Sequence, residues 1–97
     1  MAGREFAETV GLKALAWLAE EEARLSAFLA ASGSGPGDLR RRAQAPDLLP
    51  ELLGAVLDFV LSEDRHVLDF AAHAGLAPET VQAARAALPG GELPHWT

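Results

Sequence analysis

Three side chains able to hold a metal ion lie close together in the chain. His66, Asp69 and His73 are spaced i, i+3 and i+7, so on a helix all three project from one face. Two imidazoles and a carboxylate could begin a divalent site, but the spacing specifies no fourth ligand, although His95 or Glu63 can be proposed. The same helical wheel sets Val67, Phe70, Ala71 and Ala74 on the opposite side. The polar trio therefore reads as a solvent face, and neither a metal nor a cofactor is expected. The hydroxyls fare no better as nucleophiles. Thr9, Ser26, Ser32, Ser34, Ser62, Thr80 and Thr97 mostly suit caps, turns or surfaces, and none stands in an evident nucleophile–base arrangement. The run Gly33-Ser34-Gly35-Pro36-Gly37 lacks the Lys-Ser/Thr pair of a phosphate-binding loop. The expectation is a protein without catalytic activity.

Two further signals concern binding. Arg40, Arg41 and Arg42 form the densest cationic feature, able to dock carboxylates, a phosphate or RNA, or simply to line a solvated helix face with Asp38 as a partner. The stretch Phe70–Leu88 has the pattern of a DNA-reading helix-turn-helix. Around Gly75, the residues Ala71, Leu76 and Val81 fall where two helices cross through a tight turn. Yet the second helix of that pair carries Arg85 as its single cation, among Glu79, Thr80, Gln82 and Ala83. Reading DNA needs several Lys or Arg contacts to phosphate. The stretch is better read as a structural corner, and nucleic acid as a partner is not expected.

The elements that position these residues are helices. Phe6, Val10, Ala14 and Trp17 make an apolar stripe on a first helix, about Arg4–Ala19. Continuing it straight would carry Glu21 and Glu22 into the stripe, and burying unpaired carboxylates is costly. A bend there is expected, with a second helix about Glu21–Ala31; a single long kinked helix is the alternative. Gly33 stops that helix and Pro36 opens a third, about Pro36–Gln44. A fourth, the most apolar, runs from Pro46 to about Leu61. Ser62 reads as the N-cap of a fifth, about Glu63–Ala74. Gly75 and Pro78 repeat the stop and start before a sixth, about Pro78–Leu88.

A shift of 42 residues sets the second half on the first. Trp17 meets Phe59, Glu21 meets Glu63, Phe28 meets Phe70, Gly33 meets Gly75 and Pro36 meets Pro78. The pattern reads as two three-helix units, about residues 10–45 and 52–87, followed by a tail at about 90–97 that contains Trp96. Neither unit could bury its apolar face alone, so the first and fourth helices should pack together.

Composition sets the class. The chain has 97 residues, 49 % of them apolar, which suits one all-α domain with a modest core. Alanine and leucine are abundant and β-branched residues are few, which favours helix over strand. There is no cysteine, in keeping with a reducing cytoplasm, and disulfides and thiolate metal sites are excluded. The net charge of −6 repels phosphate backbones and anionic membranes at long range. The most apolar run, Leu52–Leu61, is far shorter than a membrane span and contains Asp58, and the N-terminus lacks the apolar core of a signal peptide.

Several stretches also read together. ETVGLKALAWLAEEEARLSAFLAASG, PGDLRRRA and AVLDFVLSEDRHVLDFAAHAGLAPETVQAARAALPGG closely resemble a family of small alphaproteobacterial helical proteins catalogued as a domain of unknown function, family 3572. The likeness covers about residues 5–91, and its most distinctive piece is Leu57-Asp58-Phe59 with the acidic turn and Ala74-Gly75-Leu76 after it. Gly37 stands where a polar or acidic helix-start residue would be usual, and Ala45 where a capping Asp would be. The resemblance implies no activity, ligand or catalytic residue. The function expected is therefore that of a cytoplasmic adaptor, monomeric or homodimeric, binding another protein through Arg40, Arg41, Arg42 or Trp96. A nucleic-acid-binding regulator using residues 70–88, or a small-molecule sensor with a pocket lined by Trp17, Phe28, Phe59 and Phe70, are the alternatives.

Overall fold

Apolar residues recurring every three to four positions produce six helices in the computed structural model, which describes residues 3–90. They are α1 (Arg4–Ala19), α2 (Glu22–Ser32), α3 (Pro36–Gln44), α4 (Leu49–Leu61), α5 (Asp64–Ala74) and α6 (Pro78–Ala86), with no strand among the described residues. The chain is an all-α bundle, as its composition implies.

The core is built on α1 and α4. The first buries Ala7, Val10, Gly11, Ala14, Trp17 and Leu18; the second buries Leu52, Leu53, Gly54, Val56, Leu57 and Val60. These faces pack on each other, and α6 packs on both. Gly11 marks the close approach: a Cβ placed there would lie 2.8 Å from the Cβ of Leu53, closer than two carbon atoms tolerate. Phe28 from α2 and Phe70 from α5 close the ends of this core, and Val81, Ala84 and Leu88 seal one flank.

The acidic residues do break the first helical run. Glu21 takes extended backbone (φ −133°, ψ 118°), so α1 and α2 are separate helices and the carboxylates of Glu20, Glu21 and Glu22 stay in solvent. Gly33 and Gly75 end α2 and α5 in the left-handed region (φ 72° and 70°), which a residue with a β-carbon enters only with strain. In each case the chain then extends for two residues before a proline starts the next helix.

α2 lies one residue later at both ends than the sequence reading of Glu21–Ala31, and three further boundaries differ. α4 begins at Leu49, three residues later than Pro46, because Pro50 has no N–H and fits only the first turn; residues 46–48 form a separate turn closed by Leu49 N–H to the Ala45 carbonyl (2.9 Å). Ser62 is not the N-cap of α5. It closes α4, donating its hydroxyl to the Phe59 carbonyl at 2.6 Å, and Glu63 takes the extended cap position (φ −140°, ψ 134°). α6 ends at Ala86, and Ala87 and Leu88 tighten into i→i+3 bonds to Ala84 and Arg85.

Moving α2 and α3 by 42 residues reproduces the bounds of α5 and α6. The bends match as well: Glu20 (φ −70°, ψ −18°) with Ser62 (−69°, −17°), and Glu21 with Glu63.

Candidate functional site

Two depressions occupy corresponding places, each between the first helix of one half and the second helix of the other. The site begins with the aromatic pairs packed at the same two helix contacts. Phe28 of α2 meets Phe59 of α4 edge-on at 5.7 Å, and Trp17 of α1 meets Phe70 of α5 at 5.7 Å. Moving either pair by 42 positions exchanges its members with those of the other pair. The outer neighbours correspond too. Arg24 lies over the Trp17 ring at 4.1 Å, and His66, 42 residues on, stacks on Phe59 at 5.2 Å. Arg24 also donates to the Trp17 carbonyl, the role that the Ser62 hydroxyl fills at Phe59.

The depression between α2 and α4 is an open groove of about 350 Å³ lined by Phe28, Ala31, Ala55 and Phe59, with Ser32, Ser62 and Asp58 at its edges. Every polar group in it is already engaged. Ser32 donates to the Leu29 carbonyl (3.3 Å), and Ser62 to that of Phe59. Asp58 receives a forked pair of bonds from Arg85, 2.6 Å from Nε and 3.1 Å from Nη2. What the groove offers is a small, mostly apolar surface with a neutralised edge, suited to an apolar side chain presented from outside.

Its counterpart between α1 and α5 is lined by Lys13, Ala16, Glu20, His73 and Ala74. Position by position these replace Ala55, Asp58, Ser62, Ala31 and Ser32. Glu20 and His73 bridge its two walls, with His73 Nε2 at 3.2 Å from the Glu20 carboxylate. One groove is thus crossed by a histidine–glutamate contact and the other is walled by small side chains.

The residues singled out from sequence are dispersed. His66, Asp69 and His73 do not form one solvent face. His66 is half-buried, held between Phe59 and the edge of Trp17 (6.2 Å), while Asp69 is exposed and His73 reaches Glu20. The aromatic side of α5 extends one position further around than the apolar residues alone indicate, because an imidazole can stack as well as coordinate. Among the described residues no group of three or more His, Asp and Glu converges as a metal site. Of the four aromatics named as a pocket, Trp17 and Phe70 pack shut, and Phe28 and Phe59 line the open groove.

Arg40 and Arg41 are exposed and Arg42 is half-buried. Arg41 pairs with Asp38 one turn back, and Arg40 and Arg42 make no ion pair among the described residues. α3 itself packs on α4 through Leu39 and Ala43 without fully burying a residue. Trp96 lies outside the described residues, as does the rest of the expected tail beyond Gly90. Arg85 was overlooked as a contact in the sequence reading. Its guanidinium ties α6 to α4 through Asp58, caps the Pro89 carbonyl (3.1 Å) and lies against Gly54, whose missing side chain leaves the space.

No helix among the described residues is long and apolar enough to cross a membrane. No curated protein and no solved structure matches the chain. The family model described as "Protein of unknown function (DUF3572)" matches residues 4–91, nearly the whole chain, and this protein belongs to that family.

Proposed function

We propose that this chain is a protein-interaction module made of two related helical units, with the Phe28–Phe59 groove and the adjoining α3 as its contact face. The observation that carries the reading is the contrast between corresponding grooves: Glu20 and His73 bridge one, and Ser62 and Ala31 leave the other open and apolar. A scaffold whose second and third helices and bends match between halves but whose grooves differ in lining has its asymmetry where a partner can use it. The engaged state of Ser32, Ser62 and Asp58 favours binding over chemistry. A protein partner is favoured over nucleic acid because Arg85, the lone cation of α6, is committed to Asp58. The cysteine-free sequence suits a cytoplasmic setting.

The test is co-purification from the native cell with partners identified by mass spectrometry, comparing the wild-type chain with Ala31→His/Ser62→Glu. That variant places the histidine–glutamate contact of one groove across the other. Partners retained by wild type and lost from the variant are the expected result; an unchanged set overturns the reading.

A further inference from the structure

Resting on that reading, we propose that the groove's partner is an acidic amphipathic helix, its apolar residue seated against Phe59 between Ala31 and Ala55 and its carboxylates on the arginines of α3. Ser32 lines the groove, and the left-handed turn at Gly33 followed by two extended residues joins it to α3. Leu39 and Ala43 turn α3 toward α4, so the helical repeat sets Arg40 and Arg42 along its two edges and Arg41 on its crest. A helix laid along either edge meets at least one cation without an ion-pair partner among the described residues, where Arg41 alone of the three is paired, to Asp38. The groove itself does not repel such a partner, because Asp58, the one carboxylate lining it, is neutralised by the Arg85 fork. Three arginines on one short helix of a chain with net charge −6 also make a local positive pole, which steers an acidic segment to α3 and away from the rest of the surface. Groove and cations thus describe a helix-in-groove contact of defined polarity.

The experiment is selection of helical peptides from a displayed amphipathic-helix library on the full chain, followed by affinity measurement of the selected peptides. The expected winners carry one bulky apolar anchor flanked by Asp or Glu. Their affinity should fall about tenfold or more in Arg40→Glu/Arg42→Glu, fall similarly in Ala31→His/Ser62→Glu, and weaken as salt is raised. Ala55→Lys, which copies Lys13 from the other groove, gives the same answer should the double groove variant fail to fold. Winners flanked by Lys or Arg that lose affinity only in the groove variants would overturn the acidic partner and leave the interaction reading standing. Absence of selected peptides, or winners indifferent to the groove variants, would overturn both. Two other results also count against the proposal: single-stranded RNA binding that depends on Arg40 and Arg42 while no peptide is selected, and self-association of the chain that is lost in the groove variants.

Discussion

Arg85 shows how a residue's role can depend on a partner far away in sequence. On α6 it is a single cation on a short helix, and nothing in its neighbourhood marks it. Its partner Asp58 lies 27 residues back on the outer strip of α4. The arginine side chain is only 15 % exposed although the aspartate is 61 % exposed, so the pair is shielded on one side and open on the other. A forked Arg–carboxylate contact of this kind, with a carbonyl cap added, is worth more than a single exposed pair. Arg85→Ala should therefore destabilise the fold by about 1–2 kcal/mol in urea titration. Arg85→Lys should recover only part of this, because an ammonium cannot span both oxygens and reach Pro89 as well. A double-mutant cycle with Asp58→Asn should show coupling; strict additivity would mean the fork contributes nothing. His66 was misplaced from sequence for the same reason: its ring is turned by Phe59 and Trp17, which belong to other helices.

At the scale of elements the sequence was most legible where backbone geometry dictates residue type. Gly33, Gly75, Pro36 and Pro78 marked two corners because left-handed backbone and a helix start select those residues locally. Gly75→Val should cost about 1 kcal/mol or more, since a β-branched side chain resists φ of 70°, and Gly33→Val should behave alike. No heavy atom lies within 4 Å of a Cβ at either site, so the cost is conformational and not steric. Gly11 is the opposite case. A glycine in mid-helix lowers helix propensity, and its reason here, the approach of Leu53, exists only in the packed pair. Gly11→Ala would gain helix propensity alone, but here it must push α1 from α4 and should destabilise by about 1–3 kcal/mol. Leu53→Ala keeps the β-carbon that makes this contact, so it should not rescue Gly11→Ala, and thermal melts of the two single variants and the double variant will show it. The groove was not legible for a related reason. The sequence reading put Phe28 and Phe59 in a pocket only together with Trp17 and Phe70, as an alternative, and it is the small size of Ala31 and Ala55 on two different helices that leaves this space open.

For the molecule as a whole, the decisive fact is that the aromatic contacts cross between halves. Trp17 packs on Phe70 and Phe28 on Phe59, while α1 and α4 share the central face. Neither half can complete its core from its own residues: Trp17 without α5 would expose an indole that is now 4 % accessible, and Phe59 without α2 would lose the ring that covers its edge. Losing one half therefore removes most of the burial that holds the other, and burial is the main term opposing chain entropy. Unfolding should then be a single transition in which helix content and the burial of Trp17 are lost together. With Trp96→Phe leaving Trp17 as the reporter, far-ultraviolet circular dichroism and tryptophan fluorescence should give the same urea midpoint. The same reasoning predicts that Phe70→Ala, in the second half, costs about 3–5 kcal/mol and shifts both signals equally. If fluorescence instead moved well ahead of circular dichroism, the halves would be separable and the crossing aromatics would not be what couples them.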